Sequence, residues 1–287
     1  MPYAFAHPAA AVPLRHVLGR FAVPSALVIG SLVPDLWYVM PLLDRPHTHR
    51  ASGLLWFCLP AGLIAYAAFH TLLKHPLAAL LPQRIHARLQ PCLAAGQPQR
   101  LGLGLRRWAA IVASLVAGSA THLLWDALTH KGIVSRHLFP GLNATFALGP
   151  LEPSLLQILQ HGSTLAGTAF LVWWCGRWLR RTAPAPVPPT ARLSRLAHAG
   201  VLCGAACAGL IALFVSFDGA SHGALTHGVL SDGSLEALRP LFKNAAATAI
   251  ASAGAVLGAY CVLWQLSRRP GPRASCLPTT PPARKGR

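Results

Sequence analysis

The sequence predicts an all-α protein, a polytopic helical bundle that spans a membrane. Three observations support this fold class: 53% of the 287 residues are hydrophobic and only 11% are charged, the mean hydropathy is +0.46, and several apolar runs are long enough to cross a bilayer. A hydrocarbon core about 30 Å thick needs a helix of about 20 predominantly apolar residues. The same composition argues against a soluble two-domain protein and against disorder over most of the chain.

Five apolar segments satisfy this length criterion. Four of them contain no Asp, Glu, Lys or Arg, and they cover residues 54–73, 155–176, 196–217 and 244–266. A fifth segment, residues 108–129, carries a single acid, Asp126. A sixth candidate, residues 21–43, contains Asp35 and three prolines, so it is a spanning helix, a broken helix or a segment that lies in the membrane interface.

Basic residues concentrate in three stretches between or after the apolar segments. Residues 74–107, 177–195 and 268–287 hold most of the Lys and Arg and contain no acid. Positively charged loops tend to stay in the cytoplasm, so we expect these stretches and the C-terminus on the inner side of a bacterial inner membrane. The net charge of +18 then follows from topology and attraction to membrane lipid, without nucleic acid as a partner.

The same pattern divides the chain into four parts. Residues 1–179 form a membrane-embedded core, and residues 180–196 form a cytoplasmic linker rich in Pro, Ala and Arg. Residues 197–267 contain a C-terminal pair of spanning helices. Residues 268–287 form a basic, Pro-rich tail that we expect to be disordered.

A His-x-x-x-Asp motif, His122 to Asp126, lies near the outer end of the fifth apolar segment. Residues four positions apart share one face of a helix, one turn from each other, and His130 extends the same row. Ionisable residues inside membrane segments are costly and usually functional, so we predict that His122, Asp126 and His130 contribute to catalysis. The alternative is an Asp solvated at the interface beside an unrelated histidine.

Histidines and acids from other segments reach the same side of the membrane in this orientation. His49 precedes the segment that begins at residue 54, so it lies at the level of Asp126 in an antiparallel neighbour. Asp35 sits among apolar residues, where a carboxylate must be neutral, paired or bound to a cation. We therefore predict a divalent metal site, with zinc favoured and manganese or iron as alternatives. The predicted ligands are His7, Asp35, His49, His122, Asp126 and His161, with His7 included only if the N-terminus lies outside.

The order of these motifs resembles a bacterial multi-pass membrane family of unknown function, domain of unknown function 4184. The resemblance rests on His7, Pro34-Asp35, Thr48-His49, His122-x-x-x-Asp126 and Gln160-His161, and covers about residues 1–180. That family looks related to YdjM-like inner-membrane metal-dependent hydrolases and, more distantly, to zinc-dependent phospholipase C and P1-type nucleases. The resemblance implies phosphodiester hydrolysis and metal binding at His7, Asp35, His49, His122 and Asp126.

These observations predict a membrane-bound hydrolase of a phosphoester bond in a lipid or lipid-linked substrate. A metal ion lowers the pKa of bound water and polarises a phosphoryl oxygen, and a site at the bilayer edge favours an amphiphilic substrate. Arg45 and Arg50 are candidates for holding the substrate phosphate or, alternatively, lipid head groups. Two other functions stay open: a transporter or ion relay that uses His122 and Asp126, and a non-catalytic scaffold that retains the metal-binding fold.

Overall fold

A computed structural model describes residues 4–38, 48–94, 104–132, 137–146, 153–226 and 235–267. This part of the chain is mostly helical and contains no β-strand, which confirms the predicted all-α fold. The shorter helices at the start are α1 (Pro8–Ala11), α2 (Leu14–Leu18) and α3 (Pro24–Leu32). The longer helices are α4 (Leu54–Ala79), α5 (Gln83–Ala94), α6 (Leu105–Thr129), α7 (Leu155–Arg181), α8 (Arg195–Thr226) and α9 (Leu235–Ser267).

Four helices in the described residues are long and apolar enough to cross a membrane. They are α4, α6, α8 over Arg195–Ser216 and α9 over Asn244–Ser267. These helices indicate a membrane protein and correspond to four of the five predicted segments. The remaining segment, residues 155–176, lies within α7, which is less apolar because it carries polar residues such as Gln157 and Gln160. A membrane crossing by α7 stays a prediction.

The N-terminal apolar segment changes from an α-helix to a 3-10 helix. It consists of α3, with Pro24 at its first position, and a 3-10 helix over Val33–Tyr38. Proline suits the first turn of a helix because its missing N–H needs no partner there. The apolar helical stretch Pro24–Leu36 has a length of about 20 Å at 1.5 Å per residue, which is too short for a core of about 30 Å. The described part of this segment is therefore not a spanning helix by itself, and the broken helix and the interfacial segment both stay predictions, because residues 39–43 lie outside the described residues.

Helix α3 packs against α6 with the two backbones almost touching. A Cβ atom at Gly30 would overlap the carbonyl oxygen of Leu115, and one at Gly118 would overlap the carbonyl oxygen of Leu27. The hydroxyl of Ser119 donates a hydrogen bond across this contact to the carbonyl of Gly30 (2.9 Å). Small residues allow membrane helices to approach this closely, so the two glycines set the distance between α3 and α6.

A hydrophobic cluster joins α3 and α6 to α4. Its buried members are Ala26, Tyr66, Ile111 and Leu115. At the start of α3, the hydroxyl of Ser114 in α6 accepts a hydrogen bond from the backbone N–H of Val23 (2.9 Å). The three helices thus form one packed unit.

The first two basic stretches meet at one end of the bundle. The backbone N–H of Ala185, in the linker after α7, donates to the carbonyl of Ala87 in α5 (2.9 Å). The ammonium group of Lys74, near the end of α4, donates to the carbonyl of Leu93 in α5 (3.1 Å). Helix α7 continues to Arg181, two residues into the stretch predicted as the linker, and the division of the chain into parts stays a prediction. The two basic stretches therefore lie on the same side of the fold, as the topology requires.

Helices α8 and α9 run antiparallel. Gly204 of α8 lies near Val256 of α9, and Gly209 lies near Ala253. The hydroxyl of Tyr260 in α9 donates to a backbone carbonyl of α4 (3.0 Å), which ties the pair to the rest of the bundle. The tail predicted over residues 268–287 lies outside the described residues.

The variant Gly118→Ala tests the close contact of α3 and α6. The added methyl group would overlap the carbonyl oxygen of Leu27, so we expect a loss of about 1–3 kcal/mol of stability from overpacking, measured by thermal unfolding of the full chain in detergent. Gly258→Ala in α9 is the matched control, because a Cβ there meets nothing within 4 Å. Equal stability of the two variants would contradict this packing.

Candidate metal centre

Five polar side chains from four segments of the chain converge at the C-terminal end of α6. They are His7 before α1, Asp35 in the 3-10 helix after α3, His49 before α4, and His122 and Asp126 of α6. His49 is half-buried, and the other four are each at most 6% exposed. All five are among the ligands predicted from the sequence.

Asp126 lies at the centre of this cluster. Its Oδ1 is 3.7 Å from Nε2 of His7, and its Oδ2 is 3.4 Å from Nε2 of His49 and 3.8 Å from Nε2 of His122. The four-residue spacing places His122 and Asp126 on one face of α6. The meeting of Asp126 with His49 confirms that the start of α4 and the end of α6 lie at the same level.

Asp35 contributes the second carboxylate. Its Oδ1 is 3.5 Å from Nε2 of His49 and 3.7 Å from Nε2 of His122. Among the described residues, two groups could hold a metal ion, with their ligand atoms within 4.8 Å of one another. One group is His7, His122 and Asp126, and the other is Asp35, His49 and His122. Because both contain His122, they are two parts of one cluster.

The spacing of these atoms suits a bound cation. Hydrogen bonds between nitrogen and oxygen are usually about 2.7–3.2 Å long, whereas the nitrogen-to-oxygen distances within the two groups are 3.5–3.8 Å. The distance between the groups, from His49 to Asp126, is 3.4 Å. Ligands about 2.0–2.1 Å from a tetrahedral zinc ion lie about 3.4 Å from one another. The side chains therefore fit a shared cation better than a set of direct hydrogen bonds.

Ser31 fixes the orientation of His122. Nδ1 of His122 lies 2.7 Å from the carbonyl oxygen of Ser31, and a carbonyl only accepts, so Nδ1 carries the proton. The lone pair is then on Nε2, the atom that faces both aspartates and makes no hydrogen bond within the described residues. Histidines that bind metals typically donate their other N–H in this way.

His7 stacks on His122, with ring centroids 3.7 Å apart, and meets the edge of Trp125. Burial and, to a smaller extent, the neighbouring His122 lower the pKa of His7 to about 4. His7 is therefore neutral at pH 7, and neutral imidazole is the form that binds metals. Its position also places the N-terminal segment at the same end of the bundle as Asp126, which the sequence alone left open.

Asp35 carries a buried carboxylate whose oxygens make no hydrogen bond within the described residues. An isolated carboxylate is too costly to keep charged in apolar surroundings. Asp35 therefore requires either a proton or a nearby cation, and the nitrogens of His49 and His122 face it on the side where a cation would bind.

His130 contacts Asp126 from outside both groups. Its Nδ1 is 3.3 Å from Oδ1 of Asp126 and 3.0 Å from the hydroxyl of Thr129. That hydroxyl donates its only proton to the carbonyl of Trp125 (2.8 Å), so it accepts from Nδ1 of His130. Nε2 of His130 accepts from the side-chain amide of Gln160 (2.8 Å). Both ring nitrogens are thus held by protein groups, and the ring is fixed against Asp126.

Three other predicted residues lie apart from the cluster or outside the described chain. His161 is exposed on α7 and belongs to neither group, because one residue along a helix turns the side chain by about 100°; its neighbour Gln160 points inward instead. Arg50 is exposed directly after His49. Arg45 lies outside the described residues.

Sequence reasoning missed two groups that orient the site. Ser31 acts through its backbone carbonyl, which leaves no signature in the pattern of side chains. Gln160 acts through its amide; the sequence named it only in the Gln160-His161 motif, without assigning it this role.

The fold and the cluster define a class of protein: a polytopic helical membrane protein with buried histidines and aspartates that could hold a metal ion. The chain belongs to the family described as Domain of unknown function (DUF4184), whose model matches residues 1–262. This match confirms the family resemblance and extends it beyond residue 180, through α8 and most of α9. No curated protein and no solved structure matches the chain.

The hydrogen bonds of His122 and His130 predict one tautomer for each ring. Both rings should carry the proton on Nδ1, because Ser31 and Thr129 accept from that atom. Nitrogen-15 NMR of the imidazole groups in the histidine-labelled chain measures this directly. Gln160→Leu removes the donor to Nε2 of His130, so it should shift that resonance and leave His122 unchanged. A proton on Nε2 of either ring in the unmodified protein would contradict the geometry.

Proposed function

We propose that this protein is a membrane-bound, metal-dependent hydrolase, and that His7, Asp35, His49, His122 and Asp126 hold its divalent cation. The convergence of three imidazoles and two carboxylates in one cluster supports the proposal. Polar groups buried among membrane helices are costly and usually serve a function, and binding a cation is the function that this donor set fits.

The donor set favours zinc. Imidazole nitrogens and carboxylate oxygens suit zinc, manganese and iron, whereas thiolates select softer metals. Cys58 is buried nearby, but its Sγ faces the carbonyl of Thr48 (3.7 Å) and it belongs to neither metal-binding group. Manganese and iron are the alternatives because they accept the same ligands.

A divalent cation held here would lower the pKa of a water molecule and would polarise the phosphoryl oxygen, and both effects favour hydrolysis. The residues of this chain bind the cation and orient the side chains that hold it. His130 holds the carboxylate of Asp126 through Nδ1, and Gln160 fixes the far side of the same ring. The hydroxyl of Thr48 pairs with Nδ1 of His49 (2.8 Å) and orients that ring. We therefore assign His130 a positioning role and keep ligation for the five cluster residues.

A phosphoester in a lipid or lipid-linked molecule suits the position of the cluster. The cluster lies where α4 begins and α6 ends, and both helices are long enough to cross the membrane, so an amphiphilic substrate reaches it from the bilayer. Arg50, exposed beside His49, is our first candidate for holding a phosphate oxygen, and Arg45 is the second. The relation to YdjM-like hydrolases, zinc-dependent phospholipase C and P1-type nucleases is part of this proposal.

The proposed orientation puts the cluster on the outer side of a bacterial inner membrane. The basic residues of α5, α7 and the linker lie at the opposite end of the bundle, which is the cytoplasmic end by the distribution of Lys and Arg. The C-terminus is then cytoplasmic. Membrane lipid is the expected partner, and we expect no nucleic acid because the positive charge follows the topology.

An ion relay is less well supported. A relay through His122 needs polar groups that continue toward the opposite end of α6. The buried polar side chains below His122 on α6 include Ser119 and Ser114, which do not ionise and hydrogen-bond to the backbone at and before α3. Ile111 and Leu115, about three and two turns below His122, are fully buried and pack with Ala26 and Tyr66 in the hydrophobic cluster.

Metal analysis tests the ligand set. The full chain, purified in detergent without chelators, should contain a stoichiometric amount of zinc, manganese or iron when it is measured by elemental mass spectrometry. His122→Gln and Asp126→Asn should each lose most of this metal, because each removes a ligand. His198→Gln is the matched control, since His198 lies in α8 and outside both groups.

The half-buried position of His49 provides a milder variant, His49→Gln, in case the fully buried variants do not fold. An unmodified protein without stoichiometric metal would count against the proposal. So would full metal content in all three variants.

Hydrolysis is tested with phosphatidylglycerol and with an aryl phosphodiester in mixed micelles. Asp35→Asn should lower kcat by more than about 100-fold, since even partners that only orient a ligand contribute about 10–100-fold. Removal of the metal by a chelator should abolish activity, and its return should restore it. Activity of Asp35→Asn equal to that of His198→Gln would exclude Asp35 from the site, and a metal-loaded protein inactive on both substrates would favour the scaffold alternative.

A further inference from the structure

A cavity of about 500 Å³ lies between α7 and the N-terminal segment. Arg15 and His16 of α2 form one wall, and Trp174, Arg177, Trp178 and Arg181 of α7 form the other. Arg177 lies about 25 Å beyond Gln160 along α7, at 1.5 Å per residue. The cavity therefore lies toward the basic end of α7, and none of the residues that line it belongs to the metal cluster.

The charge in this cavity is entirely positive. Arg15, Arg177 and Arg181 bring three guanidinium groups to it, and no Asp or Glu lines it. Within the described residues, none of the three forms an ion pair with an acid; Asp35 and Asp126 lie at the other end of the fold. A concave surface with one sign of charge concentrates counter-ions, so this cavity attracts an anion.

Tryptophan rings hold two of the guanidinium groups. The guanidinium carbon of Arg15 lies 5.5 Å from the ring centre of Trp174, and that of Arg177 lies 5.8 Å from the ring centre of Trp173. Stacking of this kind restricts a guanidinium but leaves in-plane N–H groups available for oxygen ligands such as phosphate. In Arg15, Nε–H donates to Nε2 of His16 (3.1 Å), so the terminal N–H groups remain for a phosphate. The ordered arginines are thus suited to bind a phosphate.

The aromatic rings favour a lipid over a soluble anion as the ligand of this cavity. Tryptophan is enriched where membranes meet water, and Trp174 and Trp178, one turn apart on α7, line the same cavity as the arginines. A free phosphate would use the charged groups alone. A phospholipid would use both, with its phosphate on the arginines and its glycerol and first acyl carbons on the rings.

We propose that this cavity binds the phosphate group of an anionic phospholipid. Basic pockets between membrane helices on the cytoplasmic side recognise acidic lipid head groups by the same combination of charge and apolar surface. The residues that line this site are separate from the metal cluster and from those assigned to the proposed hydrolase activity.

Native mass spectrometry of the full chain tests the proposal, with phosphatidylglycerol, phosphatidylcholine or inorganic phosphate added to the detergent solution. We expect one phosphatidylglycerol to bind in preference to phosphatidylcholine. The triple variant Arg15→Gln, Arg177→Gln, Arg181→Gln should weaken this binding on the order of 100-fold, since each arginine at an anionic head group contributes about fivefold.

The matched control is Arg106→Gln, Arg107→Gln, Arg195→Gln, which removes the same charge from three exposed arginines that do not line the cavity; its binding should stay within about twofold. If the triple variant does not fold, Arg15→Gln and Arg181→Gln test opposite walls singly. Equal losses in the two triple variants would show general surface attraction and overturn the site. Binding of inorganic phosphate without preference for phosphatidylglycerol would overturn the lipid assignment.

Discussion

The close approach of α3 to α6 is the constraint on which the metal cluster depends. Gly30 and Gly118 have no Cβ, so the two backbones touch. At this distance the carbonyl of Ser31 reaches Nδ1 of His122 and turns Nε2 toward the carboxylates. Helix α3 ends one residue later, at Leu32, and the 3-10 helix that follows brings Asp35 to the same imidazole. A larger side chain at either glycine would push α3 away from α6, and this would lengthen the contacts of His122 with Ser31 and with Asp35 at the same time.

Charge balance explains why this cluster suits a cation better than protonated histidines. Asp35 and Asp126 are both buried, and a charged carboxylate in such surroundings needs a positive partner. Protonation of the imidazoles would supply that charge but would occupy the nitrogen lone pairs that face the carboxylates. His7 is neutral at pH 7 because burial lowers its pKa to about 4. A divalent cation compensates both acids and uses the imidazole lone pairs as ligands.

The sequence predicts the helices and the repeating spacing within them better than the breaks between them. The His-x-x-x-Asp spacing alone places His122 and Asp126 on one face, and apolar length alone identifies four helices that could span a membrane. The path of Asp35 depends instead on where α3 ends, which propensity does not determine. Ser31 contributes only a backbone carbonyl, so no side-chain pattern reveals it. His161 and Gln160 are adjacent, and only the packing of α7 decides which one faces His130.

The N-terminal segment and α7 connect the two ends of the molecule. The N-terminal segment carries His7 at the metal cluster and Arg15 at the basic cavity, while α7 carries Gln160 and Arg181 at the same two levels. Gly167 of α7 lies against Ala6 and Ala9, on either side of His7, so the segment packs closely on the helix beside that histidine. A phosphate held by arginines from both elements would therefore clamp the segment to α7. Because His7 has no long helix of its own, this contact would stabilise the placement of a ligand that the metal cluster requires.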